Sequence, residues 1–274
     1  MKIAFIGGGN MAAALIAGLA GRVTPGANIH VVDPNPAALE HLQREYGLTT
    51  AAAIDAAVTA AEVIVLAVKP QNMRDVAATL QPLLALVGHQ PLVVSIAAGI
   101  RARDLSRWLG GYGAIVRCMP NTPALIGMGI TGMVAYDGVT AAQRTMADQM
   151  LAGVGTTMWL DDEGLIDAVT AVSGSGPAYV FYFMEAMQQA GVELGLTPAQ
   201  SLALAQGTFA GAAALAGRSE EPLSTLRERV TSKGGTTYAA LTSMEAAGVK
   251  DAVTTAVKAA AARGRELGDE LGAQ

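Results

Sequence analysis

The turn Gly7-Gly8-Gly9-Asn10-Met11-Ala12 follows the strand-like run Ile3-Ala4-Phe5-Ile6 and leads into a helix-like run. Residues of these types act through their main chain. A strand that stops on glycines and restarts as a helix leaves N–H groups unpaired at a helix N-terminus. That end carries partial positive charge and seats an anion such as a pyrophosphate. The spacing is G-x-G-x-x-A, one form of the dinucleotide fingerprint. On this reading Ile6, Gly7, Gly8, Gly9, Asn10 and Met11 form the seat. Gly7 makes the tight turn, Gly9 admits the phosphates to the backbone, and Ala12 keeps helix and strand close. A second strand over 28–32 ends on Asp33, about 20 residues on, where an acid meets the adenosine ribose. The bland alternative is an α/β turn with no ligand. The full strand, turn, helix, strand and acid order favours dinucleotide binding.

Three more loops follow strand-like apolar runs at 62–68, 92–96 and 114–119. They are Ala67-Val68-Lys69-Pro70, Ala97-Ala98-Gly99 and Pro120-Asn121-Thr122-Pro123. Ligands of open α/β sheets lie beyond the carboxyl ends of the strands. Singly, each loop reads as ordinary Pro and Gly punctuation; with the glycine turn they make a cofactor cleft.

Two segments stand apart. Thr231-Ser232-Lys233-Gly234-Gly235-Thr236-Thr237 precedes a helix expected from Tyr238. Its two glycines let several amides point at one place, a nest for a small carboxylate, or else form a plain interhelical turn. Ser173-Gly174-Ser175-Gly176-Pro177 reads as a helix N-cap with proline at the start. The histidines, His30, His41 and His89, neighbour no candidate acid or nucleophile, and neither a paired-cysteine or paired-histidine metal motif nor a G-x-S-x-G elbow occurs. Chemistry of this kind belongs to a cofactor, with the protein supplying placement. Hydride transfer to a carbon–nitrogen double bond fits, because a protonated imine needs little acid help.

Strands alternate with helices over 11–21, 36–46, 71–87, 101–109 and 141–151, and 131–136 and 156–160 read as edge strands. This predicts an α/β, Rossmann-type, doubly wound, mostly parallel sheet in residues 1–160. Strand signals then stop. Helices are expected over 161–172, 176–194, 198–215, 223–230, 238–247 and 250–271, giving an all-helical domain at 161–274.

Half of the 274 residues, 51%, are apolar and only 15% are charged, which points to a large subunit interface. A net charge of −5 with no basic tract argues against nucleic acid and anionic membranes. The most apolar window, 51–68, is broken by Asp55 and Glu62 and does not read as a membrane span. The single cysteine, Cys118, fits a reducing compartment and reads as a buried structural thiol. With no secretory-type leader, the expected location is the cytoplasm.

Six motifs, in order along nearly the whole chain, resemble those of the pyrroline-5-carboxylate reductase family: the glycine turn, Ala67-Val68-Lys69-Pro70, Ser95-Ile96-Ala97-Ala98-Gly99, Arg117-Cys118-Met119-Pro120-Asn121-Thr122-Pro123, Ser173-Gly174-Ser175-Gly176-Pro177-Ala178-Tyr179, and the run from Val230 to Thr237. The resemblance implies reduction of 1-pyrroline-5-carboxylate, a cyclic imino acid, to L-proline by NAD(P)H. It implies that the nicotinamide reaches Ala98 and Asn121, that Ser232, Gly234, Gly235, Thr236 and Thr237 hold the substrate carboxylate, and that Thr237 hydrogen-bonds the ring nitrogen. It also places Glu220 near the substrate. It further implies a helical dimerisation domain, a homodimer gathered in some members into a homodecamer, and active sites that borrow from a neighbour. Where the family usually has proline, this chain has Lys233; loss of the ring loosens the loop, while an ammonium favours a carboxylate.

Asp33 accepts from a ribose 2′-hydroxyl and repels a 2′-phosphate, which favours NAD, whereas the family often prefers NADP; use of both is expected. Rival readings are a two-domain hydroxyacid dehydrogenase or imine reductase, and a nucleotide sensor without turnover. The first usually needs a lysine acid, and only Lys250 and Lys258 follow Lys233, neither in a matching motif. The second would lack the anion-binding glycines Gly234 and Gly235.

Overall fold

The computed structural model describes residues 1–273. The elements are β1 (Ile3–Ile6), α1 (Asn10–Leu19), β2 (Ile29–Val32), α2 (Pro36–Tyr46), β3 (Thr49–Ala51), α3 (Ala56–Thr59), β4 (Val63–Leu66), α4 (Met73–Leu84), β5 (Leu92–Ser95), α5 (Ala102–Trp108), β6 (Ile115–Met119), β7 (Gly129–Ala135), α6 (Ala141–Ala152), β8 (Gly155–Trp159), α7 (Leu165–Val169), α8 (Gly176–Glu193), α9 (Pro198–Gly217), α10 (Leu223–Arg229), α11 (Thr236–Ala246) and α12 (Val249–Gly272).

All eight strands form one sheet in the order β3-β2-β1-β4-β5-β6-β7-β8. Every neighbouring pair is parallel except β6 with β7. The chain winds outward from β1 to β3, then crosses back to β4 and winds the other way. The reversal between β1 and β4 opens a crevice at the carboxyl ends of these strands.

β1, β2, β4 and β5 are buried at every position. That is why they read as unbroken apolar runs: helices cover both faces. The period-two alternation of side chains splits them between two cores. Ile3 and Phe5 join Leu15, Leu19, Val63 and Val94 on one face. Ala4 and Ile6 join Ile64, Leu66, Leu80 and Leu105 on the other.

Two sheet details differ from the sequence expectation. β3 was not anticipated, since three residues, Thr49, Thr50 and Ala51, are too short to show alternation. β7 is an interior strand rather than an edge, because β8 adds beyond it in parallel, and the edges are β3 and β8. Cys118 is fully buried in β6, and burial, with Asp148 adding repulsion, pushes its thiol well above the usual range. It fits the structural role expected of it.

Contacts divide the chain into two compact units: residues 1–175 with the final stretch from Ala260, and residues 176–259. Residues 161–175 therefore pack with the sheet rather than with the helices that follow. Arg117 of β6, 3% exposed, accounts for part of this. Its guanidinium donates to Glu163 Oε1 at 2.9 Å and lies 4.0 Å from Asp167, while the same Glu163 oxygen accepts from the Ala102 amide at 2.7 Å. In the second unit α8 and α9 cross at Gly191, where a Cβ would collide with Ser201 Oγ. That hydroxyl donates to the Gln188 carbonyl at 2.7 Å. Phe181, Tyr182, Leu204, Leu215 and Leu223 are all exposed on this unit. An apolar face of this extent marks an interaction surface. No helix among the described residues is long and apolar enough to cross a membrane.

Replacing Arg117 by methionine removes the cation that two largely sequestered carboxylates face. The expected cost is about 3 kcal/mol, read as a lower urea midpoint; an unchanged midpoint would refute this role.

Candidate active site

The glycine turn stitches three strand ends together. Gly7 N–H donates to Val32 O at 2.8 Å, and Ala67 N–H donates to Ile6 O at 2.8 Å. Gly7 has φ +104°, and a Cβ there would stand 2.6 Å from Ala67 O. Conformation and crowding both require glycine. Gly9 is the N-cap of α1, with no side-chain cap and no acid in the first turn. Within 4 Å of where its Cβ would point there is nothing. The amides of Asn10, Met11 and Ala12, the first of α1, have no intrahelical acceptor, and the space in front of Gly9 at this helix start is open. This is a cradle that fits a pyrophosphate, and a side chain at Gly9 would occupy it.

The Asp33 carboxylate is fixed by two main-chain amides. Its Oδ2 accepts from Gly8 N at 2.7 Å and its Oδ1 from Asn35 N at 2.8 Å. Val68 is half-buried and Lys69 exposed before Pro70 opens a 3-10 turn, Pro70–Asn72. Ala98 is half-buried, and Gly99 follows with φ +74°, its Cβ position 3.3 Å from Leu267. The carboxyl ends of β1, β2, β4, β5 and β6 therefore bring together Ile6, Gly7, Gly8, Gly9, Asn10, Met11, Asp33, Ala67, Val68, Lys69, Pro70, Ala98 and Asn121.

Asn121 is buried, and both ends of its side-chain amide are engaged. Oδ1 accepts from Ile130 N at 2.9 Å, and Nδ2 donates to Ser173 O at 3.2 Å. The long helix after Ser173-Gly174-Ser175-Gly176-Pro177 begins at Gly176 as expected, but the residues before it are not a plain cap. The chain stays helical through a π turn, Thr170–Gly174, closed by Ser175 N–H to Thr170 O at 2.8 Å. Pro177 explains it. Proline has no N–H to give the carbonyl four residues back, which is Ser173 O. Asn121 supplies the missing donor. The helix expected over 161–172 is accordingly a short α7 followed by this turn. The signal was present in the sequence, as a proline four residues after Ser173, but its partner was not.

In the second unit the turn at 232–235 is closed by Gly235 N–H to Ser232 O at 2.9 Å, with Gly234 at φ +73°. α11 starts at Thr236, two residues earlier than expected, because Gly235 serves as its N-cap without a capping side chain. Thr236 and Thr237 therefore lie in the first helical turn, beside uncapped amides. Among the described residues neither hydroxyl is used in a hydrogen bond, and Glu220 and Lys233 make no ion pair. Glu221, next to Glu220, pairs with Arg229. His30 does neighbour an acid, Asp55, at 3.2 Å, but it sits in the amino-terminal half of β2, away from the loops above. No group of three metal-ligating side chains occurs among the described residues.

A glycine turn feeding an uncapped helix, an acid ending the next strand, and a topological switch point between them define a dinucleotide-dependent oxidoreductase. The family model described as "Pyrroline-5-carboxylate reductase dimerisation" matches residues 163–267, and that of "NADP oxidoreductase coenzyme F420-dependent" matches residues 2–99. The chain is 47% identical to the pyrroline-5-carboxylate reductase of Pseudomonas aeruginosa, over 99% of this chain and 98% of that protein. The structure of a pyrroline-5-carboxylate reductase from Coxiella burnetii superposes with a TM-score of 0.90 at 36% identity, covering 97% of this chain and 98% of that one. A Plasmodium falciparum pyrroline carboxylate reductase with NADP bound gives 0.88 at 29% identity, covering 98% of each. The chain belongs to the pyrroline-5-carboxylate reductase family, and residues 163–267 are its dimerisation region.

Replacing Asn121 by leucine strands the Ile130 N–H and the Ser173 carbonyl inside the protein. We expect a loss of about 2 kcal/mol, seen as a lower midpoint of chemical unfolding; a variant as stable as the parent would show that the clamp is idle.

Proposed function

We propose that this chain reduces 1-pyrroline-5-carboxylate to L-proline with NADH or NADPH, as a cytoplasmic homodimer that can gather into a decamer. Family membership carries the reaction, and the uncapped amides of α1, with open space in front of Gly9, are the observation in this chain that supports the nucleotide. Residues 1–160 serve as the dinucleotide-binding domain and 161–274 as the helical substrate and dimerisation domain. The exposed apolar faces of α8 to α10 support the second role.

The nucleotide, when bound, supplies the hydride that the imine carbon accepts. The protein's own part is placement. Asn10, Met11 and Ala12 amides face the phosphates, and Asp33 accepts from the ribose. Ala67, Val68, Lys69 and Pro70 wall the seat, and Ala98 and Asn121 mark the nicotinamide end. The clamp from Asn121 to Ile130 and Ser173 keeps that end in place. In the helical unit the first amides of α11 face the substrate carboxylate, helped by helix polarity. Ser232, Gly234, Gly235 and Thr236 shape this cradle, and Glu220 lies near the bound imino acid. Thr237 is the catalytic residue: its hydroxyl hydrogen-bonds the ring nitrogen, which keeps its proton while the neighbouring carbon is reduced.

Oxidation of the reduced nucleotide upon addition of 1-pyrroline-5-carboxylate, followed by absorbance, tests the reaction; no turnover with either nucleotide would overturn it. Thr237→Val keeps the shape and deletes the hydroxyl. It should lower kcat about 10- to 100-fold and leave nucleotide affinity unchanged, and an unaltered kcat would remove Thr237 from the mechanism.

A further inference from the structure

The loop between β5 and α5 carries Ala98, at the nicotinamide end of the seat proposed above, and its own hydrogen bonds do little to hold it. At one end the Ile96 amide donates to Leu66 O at 3.2 Å, and at the other the Ala102 amide donates to Glu163 Oε1 at 2.7 Å. Between these pins, among the described residues, the amides of Ala97, Ala98 and Gly99 have no acceptor in the protein. We infer that the last turns of α12, residues 264–272, are the strut that sets this loop, with Leu267 and Leu271 as positioning residues for hydride transfer. The inference rests on the reductase reading and specifies what fixes its nicotinamide end.

The contact is made through a bare turn. Gly99 has φ +74°, and a Cβ there would lie 3.3 Å from Leu267 Cβ and 3.3 Å from Leu271 Cδ1. Leu271, 8% exposed, belongs to one apolar cluster with Ala97, Ile100, Ala102 and Leu105. The residues on either side of the Ala98-Gly99 turn therefore share a core with the end of α12. Ala98, between them, keeps part of its surface open.

The helix is shaped for this seat. Gly264, Leu267, Gly268 and Leu271 recur at the spacing of one helix face, and Gly268 and Leu271 are the buried residues of α12. Glycine inside a helix weakens it relative to alanine. Here close approach gives the reason. A Cβ at Gly268 would stand 3.1 Å from Arg101 Nε, and one at Gly272 would stand 2.5 Å from Asp104 Oδ2.

The arginines at the two ends of α5 then fix the register. Arg101, its N-cap, donates to Arg265 O at 3.3 Å and pairs with Asp269 at 2.7 Å. Arg107, in its last turn, donates to Gly272 O at 2.7 Å. Two cations thus meet the carbonyl end of α12, as helix polarity favours. Asp269 is largely exposed, and an ion pair so placed adds little strength. The leucines carry the placement; the arginines say where along the helix it happens.

Steady-state kinetics of the intact protein with 1-pyrroline-5-carboxylate and NADH or NADPH, joined to binding of ADP-ribose, separates placement from folding. ADP-ribose lacks the nicotinamide and reports on the glycine turn and Asp33 alone. Leu271→Ala should lower kcat about 10-fold with ADP-ribose affinity unchanged. Leu271→Met, of similar volume, should restore most of the loss. Leu267→Ala, at a half-buried position, should lower kcat about 3-fold, and it decides the matter if Leu271→Ala does not fold. Glu270→Ala, at an exposed position where the carboxylate pairs with Arg263 at 2.7 Å, should leave kcat at the parent value. Parental kcat in the leucine variants, or an equal loss in Glu270→Ala, would overturn the inference and leave the reductase reading intact. A parent protein without turnover would overturn both.

Discussion

A helix that begins without a cap, at the end of a buried parallel strand, is the constraint around which the sheet unit is arranged. Parallel strands of one sheet all present their carboxyl ends on one side, and reversal of winding between β1 and β4 leaves a gap there. Only glycine tolerates the φ of +104° at Gly7 and the contact of 2.6 Å with Ala67 O that its Cβ would make. The same turn then commits Gly7 N–H to β2 and receives Ala67 N–H from β4. Fold stability and anion recognition thus come from one short stretch of backbone. Changing it to improve either would harm the other.

Much of this was legible because buried parallel strands leave unmistakable apolar runs and because glycine and proline mark the turns that follow them. Ile3 to Ile6, Val63 to Leu66 and Leu92 to Ser95 could be read residue by residue. β3 could not, since a three-residue edge strand is specified by pairing with β2, not by its own composition. The position of β7 inside the sheet depended on β8 adding beyond it, a matter of topology. The π turn at Thr170–Gly174 was missed for a related reason: Pro177 frees the Ser173 carbonyl, but the group that claims it, Asn121, lies 52 residues away in sequence. The start of α11 moved by two residues because Gly235 caps it with backbone alone. Local signals named the motifs; long-range hydrogen bonds decided what each motif does.

The buried charge cluster of Arg117, Glu163 and Asp167 has the same character. It ties β6, whose carboxyl end carries the Asn121 loop, to the segment around α7 and to the first amide of α5. An arginine in an apolar strand is costly unless its partners are fixed. Its presence one turn of loop from Asn121 gives the nicotinamide end of the sheet a rigid support. The helical unit follows another logic. Its helices bury few side chains within one chain, and its apolar residues face outward, as the dimerisation region of this family would require.

Hydrogen–deuterium exchange with and without NADH examines the amides on which this arrangement turns. Slowed exchange confined to residues 8–13 and to the loops after β4, β5 and β6 is the expected result. Unchanged exchange across residues 8–13 under saturating nucleotide would contradict it, whatever the activity of the protein.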